Sequence, residues 1–345
     1  MLNIEKCIII IKLFKYSCIY AIIQKNIHMI CKRVKGMTKV FIDGSAGTTG
    51  LRIYDRIADR PDVEFIRLSE ENRKEISERA KALNEADIAF LCLPDAAAIE
   101  AVNLMTNDNT VLIDTSTAHR TAPDFVYGFP EITGREKIAS AKRISNPGCH
   151  ASGFIALVYP LVKAGALKKD VRLTCFSITG YSGGGKKMIA EYEAPDRTKL
   201  LGAPRQYGIS QQHKHLKEMA YVCGLDNAPV FCPIVADFYS GMEVSVALTS
   251  DMTSFSPDEI KDIYKKFYKD GPLIHFKEDA DESGFLSAAA LSGRDDMEIS
   301  LSGNEERMIL TARFDNLGKG ASGSAIQNMN IVMGLDETTG LITEV

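Results

Sequence analysis

The chain has 345 residues, which exceeds one typical domain and suits two. Hydrophobic residues make up 45% and charged residues 25%, values of a globular enzyme that exclude a disordered or fibrous chain. The net charge of −4 provides no basic field of the kind that nucleic-acid binding needs. We therefore expect a two-domain protein without a nucleic-acid partner.

Eight cysteines are dispersed along the chain, at positions 7, 18, 31, 92, 149, 175, 223 and 232. The sequence contains no Cys-x-x-Cys pair and no cluster with metal-ligand spacing, so we expect no metal site. Dispersed cysteines in a chain of this size are typical of reduced thiols in a cytoplasmic protein.

Residues 1–36 differ in composition from the rest. They carry seven Lys or Arg against one acidic residue, which leaves 34 basic and 44 acidic residues in the remaining chain. Lys12, Lys15 and Lys25 interrupt the apolar runs, a pattern that disfavours a membrane-spanning helix and a signal peptide. We expect this extension to be disordered, or to be non-coding sequence translated upstream of a true start at Met37, and we expect no membrane partner.

From residue 39, short apolar runs alternate with helical periodicity. Predicted strands lie at 39–43, 63–68, 86–93, 110–114 and 143–144, and predicted helices at 48–58, 75–83 and 95–105. This alternation predicts an α/β domain with a doubly wound, Rossmann-like parallel sheet. Later strand-like runs, at 171–179, 230–236, 242–248, 272–276 and 307–314, predict an α+β domain with a mixed sheet.

The first strand leads into a glycine-rich turn that opens the first helix. Glycines there permit a tight turn and let the backbone approach a pyrophosphate at the helix N-terminus. The candidate cofactor-binding residues are Gly44, Gly47, Thr48, Thr49 and Gly50. The alternative is an ordinary glycine turn, but the strand–turn–helix context favours dinucleotide binding.

The end of the second predicted strand bears on the choice between NAD and NADP. An acidic residue at that point binds the ribose of NAD, whereas Arg suits the 2′-phosphate of NADP. Ser69, Arg73 and Lys74 favour NADP(H), while Glu70 and Glu71 argue for NAD.

One cysteine stands apart from the other seven. The turn Asn146-Pro147-Gly148 precedes Cys149 and an apolar helix predicted at 154–162. A thiol at a helix N-terminus is expected to have a lowered pKa, and the free N–H groups there can hold an oxyanion. Cys149 is therefore the candidate nucleophile, and the cysteines at 92, 175, 223 and 232 are expected to be packing residues.

These motifs resemble those of N-acetyl-gamma-glutamyl-phosphate reductases of the shorter-chain type, and more distantly those of aspartate-semialdehyde dehydrogenases. The matching segments are 41–50, 127–131, 145–149, 180–186 and 315–323. The resemblance extends over most of residues 38–345.

The resemblance implies an activity and a set of site residues. Enzymes of this family reduce N-acetylglutamyl 5-phosphate with NADPH to N-acetylglutamate 5-semialdehyde and phosphate, in arginine biosynthesis. Cys149 would form a thioester, with His215 of a His-Leu-x-x-Met segment as its acid–base partner, although the residues alone leave His213 nearly as plausible. Candidate substrate-binding residues are Ser116, Arg120 and Arg205, and further candidate cofactor-binding residues are Ser182, Gly183, Gly320 and Asn328.

The resemblance also implies an organisation of the chain. The NADP-binding domain would be discontinuous, comprising residues 37–148 and 316–345, with the catalytic domain at 149–315 between them. The assembly would be a homodimer or homotetramer. Alternatives within the class act on aspartyl or aminoadipyl phosphate, and alternatives outside it are a cysteine hydrolase or acyltransferase and a non-catalytic NADP-binding regulator.

Overall fold

A computed structural model describes residues 36–343 of the chain. The expectation for the N-terminal extension therefore falls outside the described residues, apart from Gly36.

The described chain forms two sheets surrounded by helices. The strands are β1 (Thr38–Asp43), β2 (Val63–Ile66), β3 (Ile88–Leu91), β4 (Val111–Asp114), β5 (Val126–Tyr127), β6 (Arg143–Ser145), β7 (Thr174–Gly180), β8 (Arg205–Gln206), β9 (Val230–Ala236), β10 (Met242–Thr249), β11 (Ile274–Phe276), β12 (Met297–Gly303) and β13 (Arg307–Phe314). The α-helices are α1 (Thr48–Ile57), α2 (Ile76–Glu85), α3 (Asp95–Asn103), α4 (Pro130–Thr133), α5 (Arg135–Ser140), α6 (Cys149–Lys163), α7 (Gly185–Glu193), α8 (His215–Cys223), α9 (Pro257–Tyr268) and α10 (Gly323–Met333).

The first sheet is wholly parallel, with strand order β2-β1-β3-β4-β6-β5. Its central strands β3 and β4 are almost continuously apolar, as in parallel sheets whose two faces are both covered by helices. Helices α1 and α10 bury one face through residues such as Ile53 and Met329, and α2 and α3 bury the other through Leu83 and Ala98. The doubly wound parallel sheet predicted from the sequence is confirmed.

The second sheet is mixed, with strand order β11-β12-β13-β10-β7-β9-β8 and both parallel and antiparallel pairs. Helices α6, α8 and α9 cover one face and form the largest apolar core with it. The α+β domain with a mixed sheet is confirmed. The C-terminal helix α10 returns to the first sheet, where Ile326 and Met329 pack in its core; the division of the chain into domains stays a prediction.

Helix α6 runs through the centre of this core and is buried along nearly its whole length. Pro160 lies within it and has no N–H to donate to the carbonyl of Ala156. The hydroxyl of Tyr268 donates to that carbonyl at 2.8 Å, and Tyr264 donates to the next one, of Leu157, at 2.6 Å. Helix α9 thus satisfies backbone groups of α6 as well as covering it.

Among the elements that differ from the expectations, two bear on the core around Cys149 and on the second sheet. Helix α6 begins at Cys149, five residues before the predicted start, so the candidate nucleophile is itself the first residue of the helix. Strand β12 was not predicted, although Met297, Ile299 and Leu301 alternate with polar residues there as in a half-buried strand. Glu298 pairs with Arg313 of β13 at 3.3 Å, so its charge is matched within the sheet.

Candidate active site

A cavity of about 640 Å³ lies between the two sheets. Its lining comes from segments that are far apart in sequence: Gly47–Thr49, Cys92–Asp95, Thr115–Thr117, Arg120, Asn146–His150, Thr179–Gly180, Ser182–Gly185, Met188, Tyr207, His213–His215, Val235, Asn316–Leu317 and Gly320–Ala321. The carboxyl ends of parallel strands, where ligands bind in such folds, thus face the start of helix α6.

Cys149 lies in a tightly packed corner of this cavity. A Cβ on Gly148 would approach the Cε1 atom of His215 to 2.0 Å and Arg120 Nη1 to 2.2 Å. A Cβ on Gly320 would lie 3.0 Å from the Cβ of Cys149. Without a side chain at Gly148, His215 and Arg120 can pack against the backbone that precedes Cys149. Without one at Gly320, the backbone of that residue can pack against Cys149 itself.

The pKa of Cys149 differs from the expectation. Burial raises the pKa of the thiol more than the charge of Arg120 and the backbone N–H of His150 lower it. The helix N-terminus therefore does not by itself produce a thiolate in this structure. The thiol is protonated at rest and requires a base to become nucleophilic.

His215 is the base that the cavity offers. Its Nδ1 lies 3.0 Å from Oε2 of Glu218, one turn along helix α8. An ionised carboxylate accepts only, so Nδ1 carries the proton and Nε2 presents its lone pair. Burial lowers the pKa of His215 below 6.5, and Glu218 opposes that shift, so the imidazole is neutral and able to accept a proton at physiological pH.

Glu218 is a functional residue that the sequence reasoning missed. Its buried carboxylate also accepts from Arg120 Nη1 at 3.0 Å, from the hydroxyl of Tyr127 at 2.8 Å and from the N–H of Gly148 at 2.9 Å. Burial alone would raise the pKa of this carboxylate. Arg120 and His215 have a larger effect in the opposite direction, and the pKa is lowered to about 2. The i, i+3 spacing from His215 on a helix was the available signal.

His213 lies beside His215 with a different environment. Its Nδ1 accepts from the backbone N–H of His215 at 3.3 Å, and the two rings stack at 5.0 Å. Burial and the neighbouring charges of His215 and Lys214 lower its pKa to about 4. Since no carboxylate among the described residues hydrogen-bonds to His213, the geometry favours His215 as the acid–base partner.

The three predicted substrate-binding residues occupy different places. Ser116 lines the cavity, and its hydroxyl donates to Asp114 at 2.7 Å. Arg120 also lines it, and hydrogen bonds to Asn146, Thr115 and Glu218 fix its guanidinium while leaving N–H groups free for an anion. Arg205 lies over the ring of Tyr192, 5.3 Å from its centroid, and does not line the cavity.

The glycine turn packs closely against neighbouring backbone and leads into helix α1. Gly44 has φ +86°, and a Cβ there would meet the carbonyl oxygen of Cys92 at 2.3 Å. A Cβ on Gly50 would lie 2.6 Å from the carbonyl oxygen of Gly44. Thr48, the first residue of α1, has a buried hydroxyl without a hydrogen-bond partner in the described structure. An unpartnered hydroxyl at a helix N-terminus that lines the cavity fits a phosphate ligand.

A second cavity, of about 610 Å³, lies on the other side of this turn. Arg67, Arg73, Lys74 and Glu70 line it, and Glu70 pairs with Arg73 at 2.9 Å. Arg67, which the sequence reasoning missed, donates to the hydroxyl of Tyr54 at 2.6 Å.

Ser69 is exposed beside the second cavity and accepts from the N–H of Asn72 at 3.3 Å. With Arg79, four Arg and Lys side chains line this cavity against two carboxylates, those of Glu70 and Asp43, and this excess of positive charge favours a ligand with an extra phosphate.

The remaining candidate cofactor residues lie at the far wall of the first cavity. Ser182 and Gly183 line it, and Ser182 accepts from Nδ2 of Asn316 at 3.0 Å. The segment ends in helix α7, whose N-terminal glycines face the cavity. Asn328 is buried behind the wall, where its Nδ2 donates to the carbonyl of Gly128 at 2.8 Å.

The other described cysteines are free thiols. Burial raises the pKa of Cys92 to about 12, and the pKa values of Cys175 and Cys223 are also raised by burial. Within residues 36–343, no group of three or more His, Cys, Asp or Glu could hold a metal ion. None of the helices described is long and apolar enough to cross a membrane.

Comparison with known proteins places both sheets in one class of enzyme. Residues 39–141 match the family model "Semialdehyde dehydrogenase, NAD binding domain", and residues 149–316 match "Semialdehyde dehydrogenase, dimerisation domain". Solved aspartate semialdehyde dehydrogenases share the fold. The enzyme of Vibrio cholerae, complexed with ASA, has a TM-score of 0.64 at 15% identity, and the match covers 87% of this chain and 99% of that chain. The enzyme of Francisella tularensis has a TM-score of 0.65 at 14% identity, and the match covers 86% of this chain and 100% of that chain. The fold and the cysteine site define a semialdehyde dehydrogenase.

Curated relatives narrow the class. An N-acetyl-gamma-glutamyl-phosphate reductase 2 of Nostoc sp. is 43% identical over 319 residues, covering 88% of this chain and 99% of its own length. The N-acetyl-gamma-glutamyl-phosphate reductase of Brucella suis is 42% identical over 306 residues, which cover 86% of this chain and 99% of the relative's own length. The chain belongs to the N-acetyl-gamma-glutamyl-phosphate reductase family.

Proposed function

We propose that the protein reduces N-acetylglutamyl 5-phosphate, with NADPH, to N-acetylglutamate 5-semialdehyde and phosphate in arginine biosynthesis. The observation that carries this proposal is the position of Cys149. Cys149 is the first residue of helix α6, and it lines the same cavity as the glycine turn and His215, which pairs with Glu218.

The first half of the reaction is acyl transfer. Nε2 of His215 accepts the thiol proton, and the sulfur of Cys149 attacks the acyl carbon of the substrate. The carbon–oxygen bond to phosphate breaks, phosphate leaves with the electron pair, and a thioester remains on Cys149. Arg120 and the N–H groups at the start of α6 stabilise the developing negative charge.

The second half is reduction of the thioester. NADPH, when bound along the glycine turn, supplies the hydride. The N–H groups at the start of α6 hold the hemithioacetal oxyanion that results on the substrate carbon. Collapse of that oxyanion breaks the carbon–sulfur bond and releases the aldehyde. The thiolate of Cys149 recovers its proton from His215.

The choice of NADPH follows from the second cavity. Gly44, Gly47 and Thr48 provide a cradle for the pyrophosphate, and Arg67, Arg73 and Lys74 provide positive charge where the 2′-phosphate of NADP would lie. Ser69 would add a hydroxyl at the rim. Glu70 pairs with Arg73 at 2.9 Å, so Arg67 and Lys74 supply the net positive charge there.

We propose further roles for the predicted site residues. Arg120 binds an anionic group of the substrate, Ser116 borders the substrate beside it, and Ser182, Gly183 and Gly320 border the cofactor. Asn328 acts indirectly, because it holds the backbone of Gly128 behind the cavity. Arg205 would need to leave the ring of Tyr192 to reach the substrate.

The proposed function is tested by turnover in the reverse direction. We expect NADPH formation from N-acetylglutamate 5-semialdehyde, NADP and phosphate, and much slower formation with aspartate semialdehyde or the aminoadipate analogue. A preference for one of those two would assign the chain to another phosphorylating dehydrogenase. Absence of NADPH formation with all three would leave a hydrolase, an acyltransferase or a regulator, and would overturn the proposal.

We also propose that the protein is a homo-oligomer, a dimer or a tetramer, whose subunits meet through the second sheet. The face of that sheet opposite α6 carries exposed apolar side chains: Phe176, Val230 and Ile309 are each about half exposed, at 48%, 55% and 46%. The matched family model is named a dimerisation domain, which indicates a second copy of the chain as the occupant of this face.

The free thiols support a cytoplasmic location.

A further inference from the structure

A chain of hydrogen bonds next to Cys149 has no role in the reaction as described. Nδ1 of His150 lies 2.6 Å from the hydroxyl of Ser177, and Nε2 lies 2.6 Å from the hydroxyl of Tyr207. Ser177 and His150 are buried, at 0% and 3% exposure, whereas Tyr207 lines the cavity. The buried end of the chain thus meets a residue that faces the substrate.

The direction of the protons in this chain can be worked out. Burial, together with the nearby charges of His215, His213 and Lys214, lowers the pKa of His150 well below 6.5, so the ring is neutral and has one N–H. That N–H is on either Nδ1 or Nε2, and each choice fixes what the two hydroxyl groups do.

A proton on Nδ1 leaves a donor unpaired. Nδ1–H would donate to Ser177, whose own hydroxyl proton would then have no acceptor, because His150 is its one hydrogen-bond partner among residues 36–343. Ser177 is fully buried, so water does not satisfy that proton either. Burying an unpaired donor is unfavourable.

A proton on Nε2 leaves both buried side chains, Ser177 and His150, fully paired. Ser177 donates to Nδ1, and Nε2–H donates to the oxygen of Tyr207. The phenol proton of Tyr207 is then not used within the chain and is directed at the cavity. Burial, and then the negative charge that Cys149 can carry, raise the pKa of Tyr207, so its hydroxyl keeps this proton.

We propose that Ser177 and His150 are positioning residues that fix Tyr207 as a hydrogen-bond donor to an oxygen of the acyl substrate. Because the hydroxyl of Tyr207 donates into the cavity, it favours a substrate group that accepts, such as a carboxylate or a carbonyl oxygen. A substrate group that can only donate is disfavoured beside Tyr207. This inference rests on the proposed function for the identity of the substrate, but the proton positions do not depend on it.

The proton positions are measured by NMR of the protein labelled with ¹⁵N-histidine. The His150 signals are assigned as those lost in His150→Gln. We expect a neutral ring with its proton on Nε2. A proton on Nδ1, or a doubly protonated ring, would overturn the inference whatever the enzyme acts on.

The donor itself is tested with Tyr207→Phe, using Tyr221→Phe as the control because Tyr221 is on the exposed side of α8 at 61% exposure. We expect Tyr207→Phe to lower kcat/KM roughly tenfold, the scale of one hydrogen bond to a substrate oxygen. A rise in KM alone would place the bond on the α-carboxylate or acetyl oxygen, and a fall in kcat alone would place it on the oxyanion. Unchanged kcat and KM in a folded variant, with wild-type activity present, would overturn the donor role.

Discussion

At the scale of single residues, the site depends on a carboxylate, that of Glu218, which does not line the cavity. Glu218 binds His215, Arg120, Tyr127 and the backbone before Cys149, so one buried anion positions the base, a cation and the nucleophile together. Cys149 and the histidine segment could be predicted from the sequence because their motifs are local. Glu218 was missed because three of its four partners, Arg120, Tyr127 and Gly148, come from distant segments that only the fold brings together.

The two histidines of the segment are predicted to differ in importance. His215→Asn removes the base, and we expect kcat to fall by about 10²–10⁴-fold. His213→Asn removes a ring that packs on His215 without a carboxylate partner, and we expect a fall of less than about tenfold. Steady-state rates in the reverse direction decide this, and equal losses in the two variants would contradict the assignment.

The pH dependence of kcat/KM follows from the same residues. His215 must be neutral to accept the thiol proton, and burial lowers its pKa below 6.5, so we expect activity to persist below pH 6.5. Glu218 raises the pKa of His215, so Glu218→Gln moves the acid limb to still lower pH while kcat falls. Glu191→Gln, an exposed substitution, serves as the control. An acid limb above pH 6.5, or one that rises in Glu218→Gln, would refute this role.

At the scale of elements, the helix that begins at Cys149 is held by close backbone approaches. Its start could be predicted as a turn, but its length could not, since its small early residues lack an amphipathic pattern and are buried on all sides. Strand β12 follows a readable local pattern, because Met297, Ile299 and Leu301 alternate with polar residues as in a half-buried strand. Only the length of α6 comes from tertiary contacts that override local pattern.

The packing of α6 on the second sheet gives a stability prediction. A Cβ on Gly153 would lie 2.5 Å from Cγ2 of Val244, so Gly153→Ala forces the helix away from β10. We expect a loss of about 1–3 kcal/mol in the free energy of unfolding, measured with urea. Gly202→Ala, where a Cβ has nothing within 4 Å, is the control and is expected to change stability by less than about 0.5 kcal/mol. An equal effect in both variants would contradict the packing argument.

At the scale of the whole molecule, the reaction takes place where two separately predictable sheets meet. The sequence identified a parallel nucleotide-binding sheet and a mixed sheet, but not which side chains of the second sheet reach the cavity. Arg205 and Tyr207 illustrate this limit: they are two residues apart, yet the arginine stacks on Tyr192 and the tyrosine faces the cavity. Arg205 lies in β8 and Tyr207 follows the end of that strand, so the two side chains have different surroundings.

The uncovered face of the second sheet gives a prediction about assembly. Phe176→Asp puts a charge on the proposed contact, and we expect the oligomer to dissociate toward smaller species in sedimentation velocity. Ile76→Asp changes a side chain of similar exposure on the first domain, 53% against 48%, and is expected to leave the assembly intact. A monomeric wild type, or dissociation by Ile76→Asp alone, would contradict this interface.

The thioester on Cys149 is the central claim, and one measurement tests it most directly. Wild-type enzyme is mixed with N-acetylglutamate 5-semialdehyde and NADP in the absence of phosphate, so that acyl transfer to phosphate cannot follow. We expect a burst of NADPH stoichiometric with the subunits and an N-acetylglutamyl group on the peptide that contains Cys149. Cys149→Ser is expected to give neither. A burst in Cys149→Ser, or an acyl group on another residue, would contradict the claim.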